Sequence, residues 1–207
     1  MTPPSQLTLA VLGDSIAYGQ GADRPQDTIG SRLAAGLRAG GTAVDLQVFA
    51  VPRARSDALA AQVDRALAVR LHVALIIVGA NDLTHFVPTG TAATQLGDAV
   101  ATLRAAGAEV VVAPAPDLSV VPWVPLQMRA MVKGASDLLR QAQATAALAA
   151  GARVADLNGA TAATFAGDPA MFSGDRFHPS SAGYRVIAAA LTPEVTAAAR
   201  AWAARRR

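Results

Sequence analysis

The sequence predicts an α/β domain in which a parallel sheet is covered by helices on both faces. Three observations carry that prediction. The runs Leu7-Thr8-Leu9-Ala10-Val11-Leu12 and Val73-Ala74-Leu75-Ile76-Ile77-Val78 are apolar almost throughout. Strands buried on both faces read this way, and such strands belong to parallel sheets. Apolar runs then alternate with segments of helical periodicity along the whole chain, the order of repeated βα units. Finally, two of the runs stop abruptly on a glycine and a polar group, Gly13-Asp14-Ser15 and Gly79-Ala80-Asn81-Asp82. Open α/β sheets keep their chemistry in the crevice beyond the strand ends.

The elements follow in order. The first strand spans about 7–13. A helix follows within 23–39, with Ile29, Leu33 and Leu37 at helical spacing and Gly40-Gly41 as its stop. The second strand is 44–51, and the second helix, 57–69, carries Leu59, Val63 and Leu67 on one face. The third strand is 73–78, the third helix about 91–106, and the fourth strand 109–113. The loop from Pro114 to Pro125 is rich in proline and unusually apolar. A long helix, about 127–150, ends at Gly151, and a short fifth strand spans 153–156. The last helix begins near Ser180 or Ser181 and runs to the terminus, with Pro193 as a candidate break. No repeat or linker divides residues 1–207, so one domain is expected.

Composition narrows the function. The chain of 207 residues is 52% hydrophobic and 16% charged, which excludes disorder. Aromatic residues make up 4%, too few for a base-stacking platform. The net charge of +3 comes from scattered arginines and the single Lys133, and Arg205-Arg206-Arg207 reads as a solvated helix end. Nucleic acid is therefore not expected as a partner. Without cysteine there is no disulfide, thiolate ligand or cysteine nucleophile. Three histidines without ligand spacing argue against a metal site. Neither a leader nor a spanning segment reads in the sequence, so a cytoplasmic protein is expected. Gly19-Gln20-Gly21 lacks the third glycine of a dinucleotide fingerprint and does not directly follow a strand.

Three polar groups fall at strand ends or beyond the last strand: Gly13-Asp14-Ser15, Gly79-Ala80-Asn81-Asp82 and Asp175-Arg176-Phe177-His178. In a parallel sheet these ends share one edge, so the groups can converge. Acyl transfer through a covalent intermediate needs a hydroxyl, an imidazole to take its proton, a carboxylate to orient that imidazole, and donors for the oxyanion. Ser15, His178, Asp175 and the Asn81 amide are the candidates for those four parts, with backbone N–H groups near Ser15 as further donors.

These blocks, in this order, resemble three of the four blocks of the SGNH (GDSL-type) hydrolases. The resemblance runs from the first strand to the last helix, and the Asp175…His178-Pro179 spacing is its most specific part. It implies a three-layer sandwich with a flavodoxin-like five-stranded sheet of order 2-1-3-4-5. It implies Ser15 as nucleophile and oxyanion donor, Asn81 as side-chain oxyanion donor, Asp175 and His178 as the other triad members, and no cofactor. The remaining block departs. Where the family carries a glycine after the second strand, this chain reads Val51-Pro52-Arg53-Ala54, and Arg53 takes the glycine's place. Its N–H remains available as an oxyanion donor. Its side chain either meets an anionic substrate group or points to water, the commoner fate of an exposed arginine.

The expected function is hydrolysis of a carboxylic ester of short to medium acyl chain, through an acyl-serine. The substrate is a small-molecule ester, with acylated sugars and lipids among the candidates. The alternatives on the same scaffold are an acyltransferase, a carbohydrate deacetylase and a binding protein without catalysis. The loop 114–125 either lines an acyl pocket, with Val121 and Trp123 as substrate-binding residues, or closes the core. Asp14 reads as a structural cap, Asp82 as a loop brace, His72 as a surface residue and His85 as a minor cleft residue. Asp117 either borders the cleft or stabilises a turn.

Overall fold

The computed structural model describes residues 6–205. Met1 to Ser5, and Arg206 and Arg207 of the basic tail, lie outside the described residues. Five parallel strands form one sheet: β1 (Leu7–Gly13), β2 (Val44–Val48), β3 (Val73–Ile77), β4 (Glu109–Ala113) and β5 (Arg153–Val154). Their order is β2-β1-β3-β4-β5. The helices are α1 (Ser15–Tyr18), α2 (Ile29–Ala39), α3 (Leu59–Leu67), α4 (Ala80–Thr84), α5 (Thr89–Ala105), α6 (Leu126–Ala149), α7 (Ala160–Gly167) and α8 (Ser181–Ala204).

Alternation along β1 divides the core in two. Leu9 and Val11 face the layer of α2 and α8, where they meet Ile29, Leu33, Tyr184 and Leu191. Ala10 and Leu12 face α3 and α5, where they meet Leu59, Val63, Leu96 and Leu103. Because both faces are covered, β1 reads as one apolar run. Each buried leucine, isoleucine or valine among them contributes on the order of 1.5–3 kcal/mol by leaving water.

Register levels the strand ends. Gly13 pairs with Ile77, and Ile77 with Ala113, so the turns after β1, β3 and β4 leave the sheet side by side. Gly13 adopts φ 127, and a Cβ there would sit 1.8 Å from the Ile77 carbonyl oxygen, so only glycine lets β1 turn at this point.

Several expectations are corrected. The second strand stops at Val48, and Phe49 and Ala50 N–H instead both reach the Val11 carbonyl as the chain bends. Helices α1, α4 and α7 were not expected; the first two are single turns too short to show a period. α8 passes through Pro193 unbroken, because Leu191 and Val195 on either side are buried and hold the axis in place. His72 is buried rather than exposed: its Nδ1 accepts from Thr8 N–H at 2.9 Å, and its ring packs on Trp202 with centroids 4.7 Å apart. Arg205 is not simply solvated, since it pairs with Glu109, which Arg104 also holds at 3.0 Å.

Candidate active site

Ser15 opens α1 directly after the Gly13 turn. Asp14 caps that helix by accepting from Ile16 N–H at 2.9 Å. Ser15 is 3% exposed, at the bottom of the crevice beyond β1. The loop before α8 brings the other groups to it. His178 Nε2 lies 2.9 Å from Ser15 Oγ, and His178 Nδ1 lies 2.5 Å from Asp175 Oδ2. The other oxygen of Asp175 accepts from Phe177 N–H at 2.9 Å, His178 N–H at 2.9 Å and Ser173 Oγ at 2.8 Å. Burial opposes its charge, but the His178 ring and these donors outweigh it and hold the carboxyl well below the usual range. It stays ionised beside the imidazole at any working pH.

The loop is itself held. Ser173 N–H donates to the His178 carbonyl at 2.8 Å, and Ser180 caps α8 through Gly183 N–H. Buried Tyr184, whose hydroxyl burial keeps protonated, donates to the Gln20 carbonyl at 2.8 Å and ties α8 to the turn after Ser15.

Donors surround the hydroxyl. Asn81 Nδ2 donates one hydrogen to the Ala54 carbonyl at 3.0 Å and keeps the second. Among the described residues, neither Ser15 N–H nor Arg53 N–H donates to any protein acceptor. Arg53 stands at φ 67, the left-handed region that glycine enters freely.

Two residues that sequence reasoning missed brace these parts. Gln62 clasps the turn of β1, its Oε1 accepting from Gly13 N–H at 2.7 Å and its Nε2 donating to the Gly13 carbonyl at 2.9 Å. Ser56 gives both its N–H and its hydroxyl to buried Asp82, each at 3.0 Å. That bond locks the loop after β2 onto α4, so Asp82 is the loop brace the sequence suggested. Asp14 is more than a cap. Its Oδ2 is buried without a hydrogen-bond partner, and burial, with the neighbouring Asp82 carboxylate adding to it, pushes its pKa up to about 7.

An apolar pocket of about 70 Å³ opens beside His178. Val121, Leu118, Val120, Phe165, Phe177 and Ile187 line it, together with Asp117, which also caps the turn at Leu118 through Ser119 N–H. Val121 is therefore in the wall. Trp123 is not: it is 53% exposed and stacks on Phe177 at 5.6 Å, and Phe177 in turn meets the His178 ring edge-on at 4.9 Å. His85 is exposed, with Nδ1 2.9 Å from the Asn81 carbonyl. Among the described residues, no group of three or more potential metal ligands assembles. No helix among them is long and apolar enough to cross a membrane.

A parallel sheet of this order, with serine, histidine and aspartate linked at its carboxyl edge, is the SGNH hydrolase architecture. The chain belongs to the GDSL-like lipase/acylhydrolase family, which residues 11–186 match. It is 36% identical over 189 residues to a GDSL-like esterase of Mycobacterium tuberculosis. The match covers 89% of this chain and 60% of that protein, so the chain spans less than two thirds of that relative's length. Among solved structures it resembles the psychrotrophic esterase EstA from Pseudoalteromonas sp., with TM-score 0.71, 18% identity, and 91% and 96% of the two chains covered. It also resembles phospholipase A1 from Streptomyces albidoflavus, with TM-score 0.70, 19% identity, and 92% and 100% covered.

Proposed function

We propose that this chain is a serine esterase that hydrolyses a carboxylic ester of short to medium acyl chain. The observation that carries the reading is the continuous bond chain from Ser15 Oγ through His178 to Asp175, set among unspent donors. In this reading His178 Nε2 takes the Ser15 proton as Oγ attacks the ester carbonyl. Asp175 holds the ring by its Nδ1–H and stabilises the imidazolium. The developing oxyanion is met by Ser15 N–H, Arg53 N–H and the free hydrogen of Asn81 Nδ2. His178 then gives its proton to the leaving alcohol, and water, activated by the same imidazole, releases the acid from the acyl-serine. The apolar pocket beside His178 takes the acyl chain, with Val121 in its wall and Trp123 at its rim. No step in this sequence calls on a cofactor.

Turnover of a short p-nitrophenyl ester tests the reading. Ser15→Ala should lose at least about a hundredfold in kcat with an unchanged circular dichroism spectrum. A smaller loss contradicts it. Adding glycerol or a sugar to the same assay divides water from a hydroxyl acceptor. An acylated acceptor as the main product would make the protein a transferase.

A further inference from the structure

The apolar pocket lies on the β4 and β5 side of Ser15. On the β2 side, between the loop after β2 and α3, lies a larger depression of about 410 Å³ whose lining includes several charged side chains. Arg53, Arg55, Arg65 and His85 line it, with Asp57 the carboxylate among the described residues there. Arg55 and Asp57 pair at 2.8 Å and cancel. Arg65 Nη2 donates to the Phe49 carbonyl at 2.7 Å, which fixes the guanidinium without neutralising it. Arg53 makes no ion pair or side-chain hydrogen bond among the described residues. Two guanidinium charges therefore face the depression uncompensated.

The walls of this depression are bonded to the strand end that carries Ser15. Val51 N–H donates to the Gly13 carbonyl at 3.1 Å, and Gln62 clasps the same residue. Asn81 holds the Ala54 carbonyl, and His85 bonds the Asn81 carbonyl. A group bound against Arg53 thus adjoins an ester placed at Ser15. The backbone adds a further point. At φ 67 a side chain costs free energy that glycine would not, yet the chain presents an arginine here.

We infer that this basic depression binds an anionic group of the substrate, a phosphate or a carboxylate on the arm of the ester opposite the apolar pocket. The inference rests on the esterase reading and adds a substrate class to it. Guanidinium forks suit both anions, because each presents two oxygens in one plane. Arg53 meets the anion with its side chain while its N–H serves the oxyanion, so one residue links charge recognition to chemistry.

Three esters test it: propyl butyrate, and the same ester with a terminal phosphate or a terminal carboxylate on the alcohol arm. At low salt kcat/KM should be at least about fivefold higher for a charged ester than for the neutral one. The advantage should shrink as sodium chloride approaches about 0.5 M, where the screening length is a few ångströms. Whichever charged ester leads identifies the anion. Arg53→Gln and Arg65→Gln should each lower the charged-to-neutral ratio several-fold, and together bring it to about one. A wild-type ratio of one or less, or a ratio that neither substitution moves, overturns the inference and leaves the esterase reading standing. If no ester is turned over, the esterase reading fails, and calorimetry with propyl phosphate and propanoate decides the site. Binding that is lost in the double variant supports it, and no binding overturns it.

Discussion

His178 Nε2 lies 2.9 Å from Ser15 Oγ across 163 residues of chain. Each is held by its own surroundings, and the closed fold brings the two together. Ser15 is fixed by the Gly13 turn and its Gln62 clasp, and His178 by the Asp175 carboxylate. The consequences can be measured.

Asp175→Asn should lower kcat by at least about a hundredfold and change KM little. The amide cannot stabilise an imidazolium and favours the wrong tautomer, while Ser15 and its donors stay in place. Steady-state kinetics on a neutral ester checks this. Equal losses in kcat and in binding would mean that Asp175 only holds the loop.

Asn81→Ala should cost about 10²–10³ in kcat, the scale of one lost oxyanion donor. Arg53→Gly should keep the backbone donor, preserve turnover of a neutral ester and raise stability by roughly 1 kcal/mol, since φ 67 no longer opposes a side chain. Urea unfolding and kinetics on the same samples separate the two effects.

Asp14 gives the fold a pH dependence. Its carboxyl is pushed from 3.8 to about 7 in the folded state. Between those values the native chain holds a proton that the unfolded chain has released, so its contribution to stability falls as pH rises through that window. The full shift is worth roughly 4 kcal/mol. Asp14→Asn should remove this fall, and the unfolding free energies of the two proteins should diverge between about pH 4 and pH 8. Parallel curves would mean that Asp14 is ionised in the folded protein.

The apolar pocket predicts a chain-length profile. With about 0.8 kcal/mol for each buried methylene, kcat/KM should rise several-fold per two carbons until the pocket is full, with an optimum between about C4 and C8 rather than at acetate. Val121→Ala, in the wall, should move the optimum to longer chains. Trp123→Ala, at the rim, should change all chain lengths alike. A best rate with acetate esters would favour a deacetylase.

What was legible in the sequence depended on whether the partner of a residue was itself a side chain or an element with a period. The strands showed in their apolar runs, Ser15 and Asn81 stood out in short polar blocks at strand ends, and Asp175 and His178 in a short block in the loop before α8. Gln62 did not show. It is a polar residue between Leu59 and Val63 on an amphipathic helix, and its partner is the backbone of Gly13, which has no residue-type signature. The Ser56–Asp82 lock was half legible, as a brace without its partner, because it joins the loop after β2 to α4, 26 residues on. His72 reads as a surface residue because its partners, Thr8 N–H and the Trp202 ring, come to it only once the sheet and the last helix are assembled. Trp123 was placed with the pocket because its loop is apolar throughout, but only the side chains on the inner side of that loop enter the wall.

In the proposed mechanism Ser15 is a nucleophile activated through His178. Covalent labelling by a fluorophosphonate, with the modified peptide mapped by mass spectrometry, tests it most directly. One adduct per chain is expected, on Ser15, formed far more slowly in His178→Ala and not at all in Ser15→Ala. An adduct on another residue, or ester turnover that persists in protein whose Ser15 is fully labelled, would contradict it.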